Sequence, residues 1–434
     1  MGKIYEANSV YSILRYYVDW CTKRSFRRVE VKGTENIPQD GAVIIAPNHC
    51  NTLMDALVIL RTEKDEIVFG ARADLFNNKF IGKIMTFLRI LPMMRQRDGL
   101  RNVLKNNETS EIIVETLENG VPFCIFPEGT HRTMHSLRAL GKGVFRIAIA
   151  ADKKFGGVKP VYIIPTGIEY GDYFRTRSTS LVTFGKPINV TEYLKNAGDD
   201  NEQHLIEGLR TELKARMPEN ISYIEDDSRY PQMWELTKML TQASGKGYGE
   251  CGRSLHEAML DNKKIIKDLT VRLEQDTEKM ESLLDEVKEF ERDRRKNKIS
   301  IYSFGRKNPS TRVCGKAVKG LLLLPYFLFS AIISLPMWAT AEAIRSKVRD
   351  KAFRNTVNFG VNLAMGGLLY PVLVILLFCF TPWIAALSIS LLAIPAYGFF
   401  YDYVEGCRRW ISDIRLLGNS RLSERFKKIV NNFR

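Results

Sequence analysis

The chain has 434 residues, with 64 Lys or Arg against 49 Asp or Glu, so it carries a formal charge of +15 and can fill two or three structural units. That excess argues for an anionic partner such as a phospholipid surface, a phosphorylated substrate or nucleic acid. The mean hydropathy of −0.16 hides an asymmetry, because residues 1–300 are mixed and charged whereas 320–402 contain long apolar runs, so a membrane outranks nucleic acid and no nucleic-acid partner is expected.

The seven cysteines, Cys21, Cys50, Cys124, Cys251, Cys314, Cys379 and Cys407, are odd in number and contain no Cys-x-x-Cys pair. They suggest neither a disulfide framework nor a metal site. Arg15 and Asp19 interrupt the first apolar stretch, which therefore does not read as a cleaved signal peptide.

In chain order, Val10, Ile13, Leu14, Tyr17, Val18 and Cys21 recur at helical spacing and are followed by Lys23, Arg24, Arg27 and Arg28. Residues 1–28 thus read as an amphipathic helix at a membrane interface, or as a helix packed on its own domain. Strands are expected at 26–31, 42–46, 67–70, 122–126, 161–168 and 180–184. Helices are expected at 52–61, 79–88, 110–119, 141–151 and 202–216. This alternation predicts an α/β fold with a mixed, mainly parallel sheet flanked by helices, spanning 29–220.

A heptad-like series from Ile266 to Phe290 marks 221–300 as helical and coiled-coil-like, with a helix packed on the α/β domain as the favoured form. C-terminal membrane-associated helices are expected in 301–434. The apolar segments are 320–339, 366–380 and 384–401, and a basic tail follows. The last two read as a hairpin with both ends cytoplasmic, by the clusters at 345–354 and 408–434. Pro325 and Pro336 favour a re-entrant or interfacial course for the first.

Two polar turns follow apolar strands. In the first, Asn48-His49 precedes a helix carrying Asp55. Thr52 as N-cap would put Asp55 at the third helical position. Asp55 is then either a capping carboxylate, with His49 a satisfied loop residue, or the partner of a histidine base. In the second, Phe126-Pro127-Glu128-Gly129-Thr130-His131-Arg132, Gly129 permits a tight turn, Glu128 offers a carboxylate for substrate hydroxyls and Arg132 a cation for phosphate. Arg95, with Arg89, Arg97 and Arg101 around it, is a phosphate site or a solvated patch. Lys142-Gly143 opens a helix whose N–H groups either face phosphate or simply start the helix.

Together these stretches resemble the glycerophospholipid acyltransferase family over roughly residues 30–190. Asn48-His49 to Asp55 matches its His/Asp block, Leu91-Pro92-Met93-Met94-Arg95 its arginine block, Phe126-Pro127-Glu128-Gly129-Thr130 its Phe-Pro-Glu-Gly-Thr block, and Val161-Tyr162-Ile163-Ile164-Pro165 its proline block. The gap from His49 to Asp55 holds five residues, Cys50 to Met54, where the family usually has four. It looks like the branch that includes fungal glycerol-3-phosphate/dihydroxyacetone-phosphate acyltransferases.

The resemblance implies that His49 is a general base oriented by Asp55, and that Arg95, Glu128, Gly129, Thr130 and Arg132 bind the substrate. It implies no cofactor beyond an acyl-CoA or acyl carrier protein thioester as co-substrate. The expected acceptor is glycerol-3-phosphate, with 1-acylglycerol-3-phosphate or a non-catalytic membrane scaffold as alternatives. Membrane phospholipid is the expected partner, and the catalytic domain is expected on the cytoplasmic face.

Overall fold

The computed structural model describes residues 3–6, 8–62, 66–93, 103–198, 200–245, 253–306 and 308–433, excluding the side chains of 103–107. The chain divides into two compact units. The first comprises Met1–Thr22, Val29–Glu169 and Ser180–Ile221, and the second Lys23–Arg28, Tyr170–Thr179 and Ser222–Arg434.

The elements of the first unit run α1 (Ser9–Ser25), β1 (Phe26–Lys32), β2 (Ala42–Pro47), α2 (Leu53–Thr62), β3 (Val68–Arg72), α3 (Lys79–Phe87), β4 (Ile90–Met93), α4 (Val103–Glu118), β5 (Phe123–Cys124), α5 (Gly143–Phe155), β6 (Val161–Tyr170), β7 (Ser178–Phe184), β8 (Ile188–Asn189), α6 (Val190–Ala197) and α7 (Glu202–Arg216), with the ends of α1, β1, β6 and β7 passing into the second unit. The sheet order is β1-β7-β6-β2-β5-β3-β4, with β8 beside β6. Strand β2 pairs in parallel with β5 and β6, β3 in parallel with β4 and β5, and β8 antiparallel to β6, so the sheet is mixed and mostly parallel as the alternation predicts.

All six residues of β2 are buried, as a central parallel strand covered on both faces requires. Ala42, Ile44 and Ala46 share one face with Ile113 and Leu117 of α4, Phe145 and Ile149 of α5, and Leu209 and Leu213 of α7. Because β2 and β5 are parallel neighbours, the turns after them leave the sheet at one edge, the place where open α/β sheets present ligand sites.

Helix α1 is two-sided, with Tyr11 and Cys21 buried and Val10, Ile13 and Tyr16 exposed. Tyr11 meets Phe87 edge-on and lies beneath the Arg89 guanidinium, 4.5 Å from the ring centroid. The buried face of this helix packs on its own domain.

The second unit contains α8 (Tyr230–Ala243), α9 (Leu255–Gln275), α10 (Thr277–Lys296), α11 (Pro309–Arg345), α12 (Arg354–Phe380), α13 (Trp383–Leu417) and α14 (Ser420–Phe433). The heptad-like series is not one coiled coil. It breaks at Asp276, whose side chain accepts from Lys279 N–H and caps α10. The apolar face of α10 contributes within this unit to an aromatic cluster of Phe290, Phe304 and Phe426.

Helix α11 also departs from expectation. It runs unbroken through Pro325 and Pro336, with no re-entrant break, and Thr340 Oγ1 donates to the Pro336 carbonyl at 2.8 Å. Three helices, Pro309–Arg345, Lys351–Phe380 and Trp383–Leu417, are long and apolar enough to cross a membrane.

A buried ion pair ties α8 to α10. Glu235 Oε1 accepts from Arg294 Nε at 3.0 Å and Nη2 at 2.7 Å, Lys238 engages Oε2, and Arg294 Nη1 donates to the Ile299 carbonyl at 2.9 Å. Burial pushes the Glu235 carboxyl up, but Lys238 and Arg294 more than offset it and hold the pKa at about 2, below the ordinary 4.5. The stabilisation is therefore present above pH 4.5 and lost as pH falls towards 2. Glu235→Ala leaves a buried guanidinium unpaired and should destabilise the protein by about 3–5 kcal/mol. A clearly lowered thermal midpoint in detergent solution is the expected result, and an unchanged one would show the pair to be dispensable.

Candidate active site

The site is assembled where β2 and β5 end. Asn48 bridges to β6: its Oδ1 accepts from Ile168 N–H at 2.6 Å and its Nδ2 donates to the Ile168 carbonyl at 3.2 Å. That bidentate clamp fixes the point from which His49 projects. Phe126, after β5, stacks on the His49 ring at 4.3 Å, and His131 meets it edge-on at 5.8 Å.

Helix α2 begins at Leu53, so His49 lies outside it and Asp55 in its first turn. The five-residue gap is absorbed at Thr52, whose φ of 48° is left-handed and costly for a β-branched residue. Thr52 therefore lacks the extended backbone of an ordinary N-cap. Asp55, fully buried, gathers the loop instead. Its Oδ2 accepts from Cys50 N–H at 2.8 Å and Asn51 N–H at 2.7 Å, and lies 2.8 Å from His49 Nδ1. The capping and histidine-partner readings of Asp55 are thus both realised in one carboxylate. A proton on Nδ1 facing Asp55 leaves the Nε2 lone pair for chemistry, and the imidazole is 18% exposed, open enough to meet a substrate.

Glu128 lies elsewhere than the sequence suggests. It is only 7% exposed, and its two oxygens accept from the backbone N–H groups of His49 and Arg138, each at 2.9 Å, rather than facing outward for a substrate hydroxyl. Burial raises its carboxyl above the usual range, with the two amides pulling it back. Gly129 takes φ 65°, the left-handed turn that glycine permits, and Thr130 beside it is half-buried.

Arg132 is half-buried. Its N–H donates to the His49 carbonyl at 2.8 Å and its Nε lies 3.1 Å from Met134 Sδ. The Cys50 thiol is buried against Asp55, and burial followed by the Asp55 charge raises its pKa well above normal, the opposite of an activated nucleophile.

Arg95, Arg97 and Arg101 lie outside the described residues. Arg89, grouped with them by sequence, is buried and structural, donating to the Glu6 carbonyl at 2.8 Å and pairing with Glu66. Lys142 pairs with Glu207 at 3.0 Å. Sequence reasoning gave no role to Asn48, Phe126 or His131 around the imidazole. A polar and two aromatic residues at the ends of apolar strands were the signal, but their convergence depends on the pairing of β2 with β5 and β6.

Known proteins are similar to this chain over the same region. The acyltransferase family model matches residues 28–169. A 1-acyl-sn-glycerol-3-phosphate acyltransferase of Borreliella burgdorferi is 26% identical over 123 residues, covering 28% of this chain and 46% of that protein. The chloroplastic 1-acyl-sn-glycerol-3-phosphate acyltransferase LPAT1 of Arabidopsis thaliana is 26% identical over 148 residues, covering 33% of this chain and 37% of that protein. These matches support the glycerophospholipid acyltransferase family for residues 28–169.

The aligned stretches span less than half the length of these two relatives. The crystal structure of PlsC, a 1-acyl-sn-glycerophosphate acyltransferase from Thermotoga maritima, is 22% identical and covers 48% of this chain and 79% of that one, with a TM-score of 0.33, a likeness too low to carry argument. The range matched by the family model holds His49, Asp55, Glu128 and Arg132.

Proposed function

We propose that this protein is a membrane-bound O-acyltransferase of glycerophospholipid synthesis. It would move a fatty acyl group from an acyl-CoA or acyl carrier protein thioester to the free hydroxyl of 1-acylglycerol-3-phosphate. The observation that carries the reading is the 2.8 Å contact of His49 Nδ1 with buried Asp55, set at the carboxyl edge of the sheet in an acyltransferase-family domain.

In this mechanism His49 Nε2 takes the proton of the acceptor hydroxyl as its oxygen attacks the thioester carbonyl carbon. The C–O bond forms, the C–S bond breaks, and the imidazolium returns the proton to the leaving thiolate. Asp55 holds the ring and stabilises the imidazolium. The substrate supplies the nucleophile, so this mechanism needs no acyl-enzyme and requires no metal or cofactor beyond the acyl thioester. Arg95, Gly129, Thr130 and Arg132 are proposed to face the acceptor phosphate and glycerol.

The three apolar helices support attachment to the bilayer. Basic clusters at 345–354 and 408–434, flanking the α12–α13 pair, support a cytoplasmic catalytic domain. 1-Acylglycerol-3-phosphate is preferred over the expected glycerol-3-phosphate because both curated relatives bear that activity in their names. The five-residue gap between His49 and Asp55, and its resemblance to the fungal branch, favour glycerol-3-phosphate as the second reading.

Purified protein in phosphatidylcholine vesicles, supplied with palmitoyl-CoA and each acceptor in turn, should release CoA fastest with 1-acylglycerol-3-phosphate and form phosphatidate. Release fastest with glycerol-3-phosphate would establish the second reading. No acceptor-dependent release with either CoA or carrier-protein donors would leave the chain a scaffold.

A further inference from the structure

The block around Glu128 does more than its motif suggests. His49 is held at its main chain on both sides by the 128–138 loop: its N–H donates to Glu128 Oε1 at 2.9 Å, and its carbonyl accepts from Arg132 N–H at 2.8 Å. Glu128 Oε2 closes the same loop by accepting from Arg138 N–H at 2.9 Å. The loop is anchored in turn. Gly141 N–H donates to the Pro127 carbonyl at 2.7 Å, and His135 Nδ1 lies 3.3 Å from Glu169 Oε1, with both side chains buried. A carboxylate suits this place because it offers two acceptor oxygens and no donor to two backbone N–H groups.

We propose that Glu128 is a positioning residue whose carboxylate clasps the main chain at His49 and Arg138, setting the height of the imidazole against the acceptor hydroxyl, and that it does not bind the acceptor. The proposal rests on the acyl-transfer reading of the His49 site. Asn48 fixes the main chain before His49 and the clasp fixes the His49 N–H itself, so loss of the clasp frees that amide and loosens the imidazole while the loop stays held at Pro127 and His135. Gln keeps one acceptor oxygen but turns an NH2 towards one of the two N–H donors. Asp keeps both oxygens on a stem one methylene shorter.

The test compares full-length wild type, E128Q and E128D in phosphatidylcholine vesicles. In E128Q, kcat should fall about 100-fold, the cost of a small misplacement of a reacting group, while KM for acyl-CoA and for each glycerol-phosphate acceptor stays within about twofold. E128D should recover part of kcat. Hydrogen–deuterium exchange should quicken in the peptides containing the His49 and Arg138 amides while the rest of the domain keeps its protection.

A raised acceptor KM with kcat retained, or unchanged exchange at both amides, would overturn the proposal. If E128Q does not fold, E128D is read by the same criteria. Exchange is measurable without turnover. An inactive wild type would therefore overturn the reading of the reaction, and with it the catalytic purpose of Glu128, while exchange still decides whether the clasp exists.

Discussion

His49→Ala should lower acyl transfer by about 10³-fold or more while leaving the protein folded. With Nδ1 held against Asp55, the Nε2 lone pair of the ring points away from its carboxylate partner, and the ring is open enough for an incoming hydroxyl. Removing it deletes the proposed proton acceptor but few structural bonds. The main-chain bonds of residue 49 to Glu128 and Arg132 do not involve its side chain, and Asp55 keeps the Cys50 and Asn51 amides. The stacking contact with Phe126 is lost, a loss of about 0.5–1.5 kcal/mol.

Steady-state CoA release, paired with circular dichroism and a thermal midpoint, separates the two effects. Purified His49→Ala protein turning over at the wild-type rate would refute the general-base role. Cys50 is no substitute nucleophile, since its thiol is buried and its pKa raised.

The sheet was readable in the sequence because its central strands are buried on both faces and therefore appear as bare apolar runs at 42–46, 122–126 and 161–168. The turns after two of these runs carry the polar residues, so His49, Asp55 and Glu128 stood out by position. What Glu128 touches was not readable. A carboxylate bonding two backbone amides has no residue pattern, and its partners come together only through the parallel pairing of β2 with β5.

The course of the chain at Thr52 was hidden for a related reason. A left-handed β-branched residue is disfavoured locally, and it persists here beside three donors collected by the Asp55 carboxylate. In the helical half, periodicity revealed which faces are apolar but not what they meet. The series from Ile266 to Phe290 suits a coiled coil, and Asp276 turns it into two helices packed within their own unit.

The second large effect is expected at Asp55, where two substitutions divide charge from architecture. In Asp55→Asn the amide oxygen can occupy the Oδ2 position, keeping the bonds from Cys50 N–H, Asn51 N–H and His49 Nδ1, while the NH2 takes the Oδ1 position beside Cys50 Sγ at 3.6 Å. Geometry is retained and the negative charge proposed to stabilise the imidazolium is lost. The expected result is a fall in kcat of about 10²–10³-fold with KM and thermal midpoint nearly unchanged. Asp55→Ala also strips the acceptor from two amides of buried residues, each orphaned donor costing about 1–3 kcal/mol, and so should lower both kcat and the midpoint. The pair is decisive because the predictions differ in kind. If Asp55→Asn destabilises the fold as much as Asp55→Ala, the carboxylate is needed for the loop itself. If Asp55→Asn retains full turnover, the charge at His49 Nδ1 has no part in proton transfer.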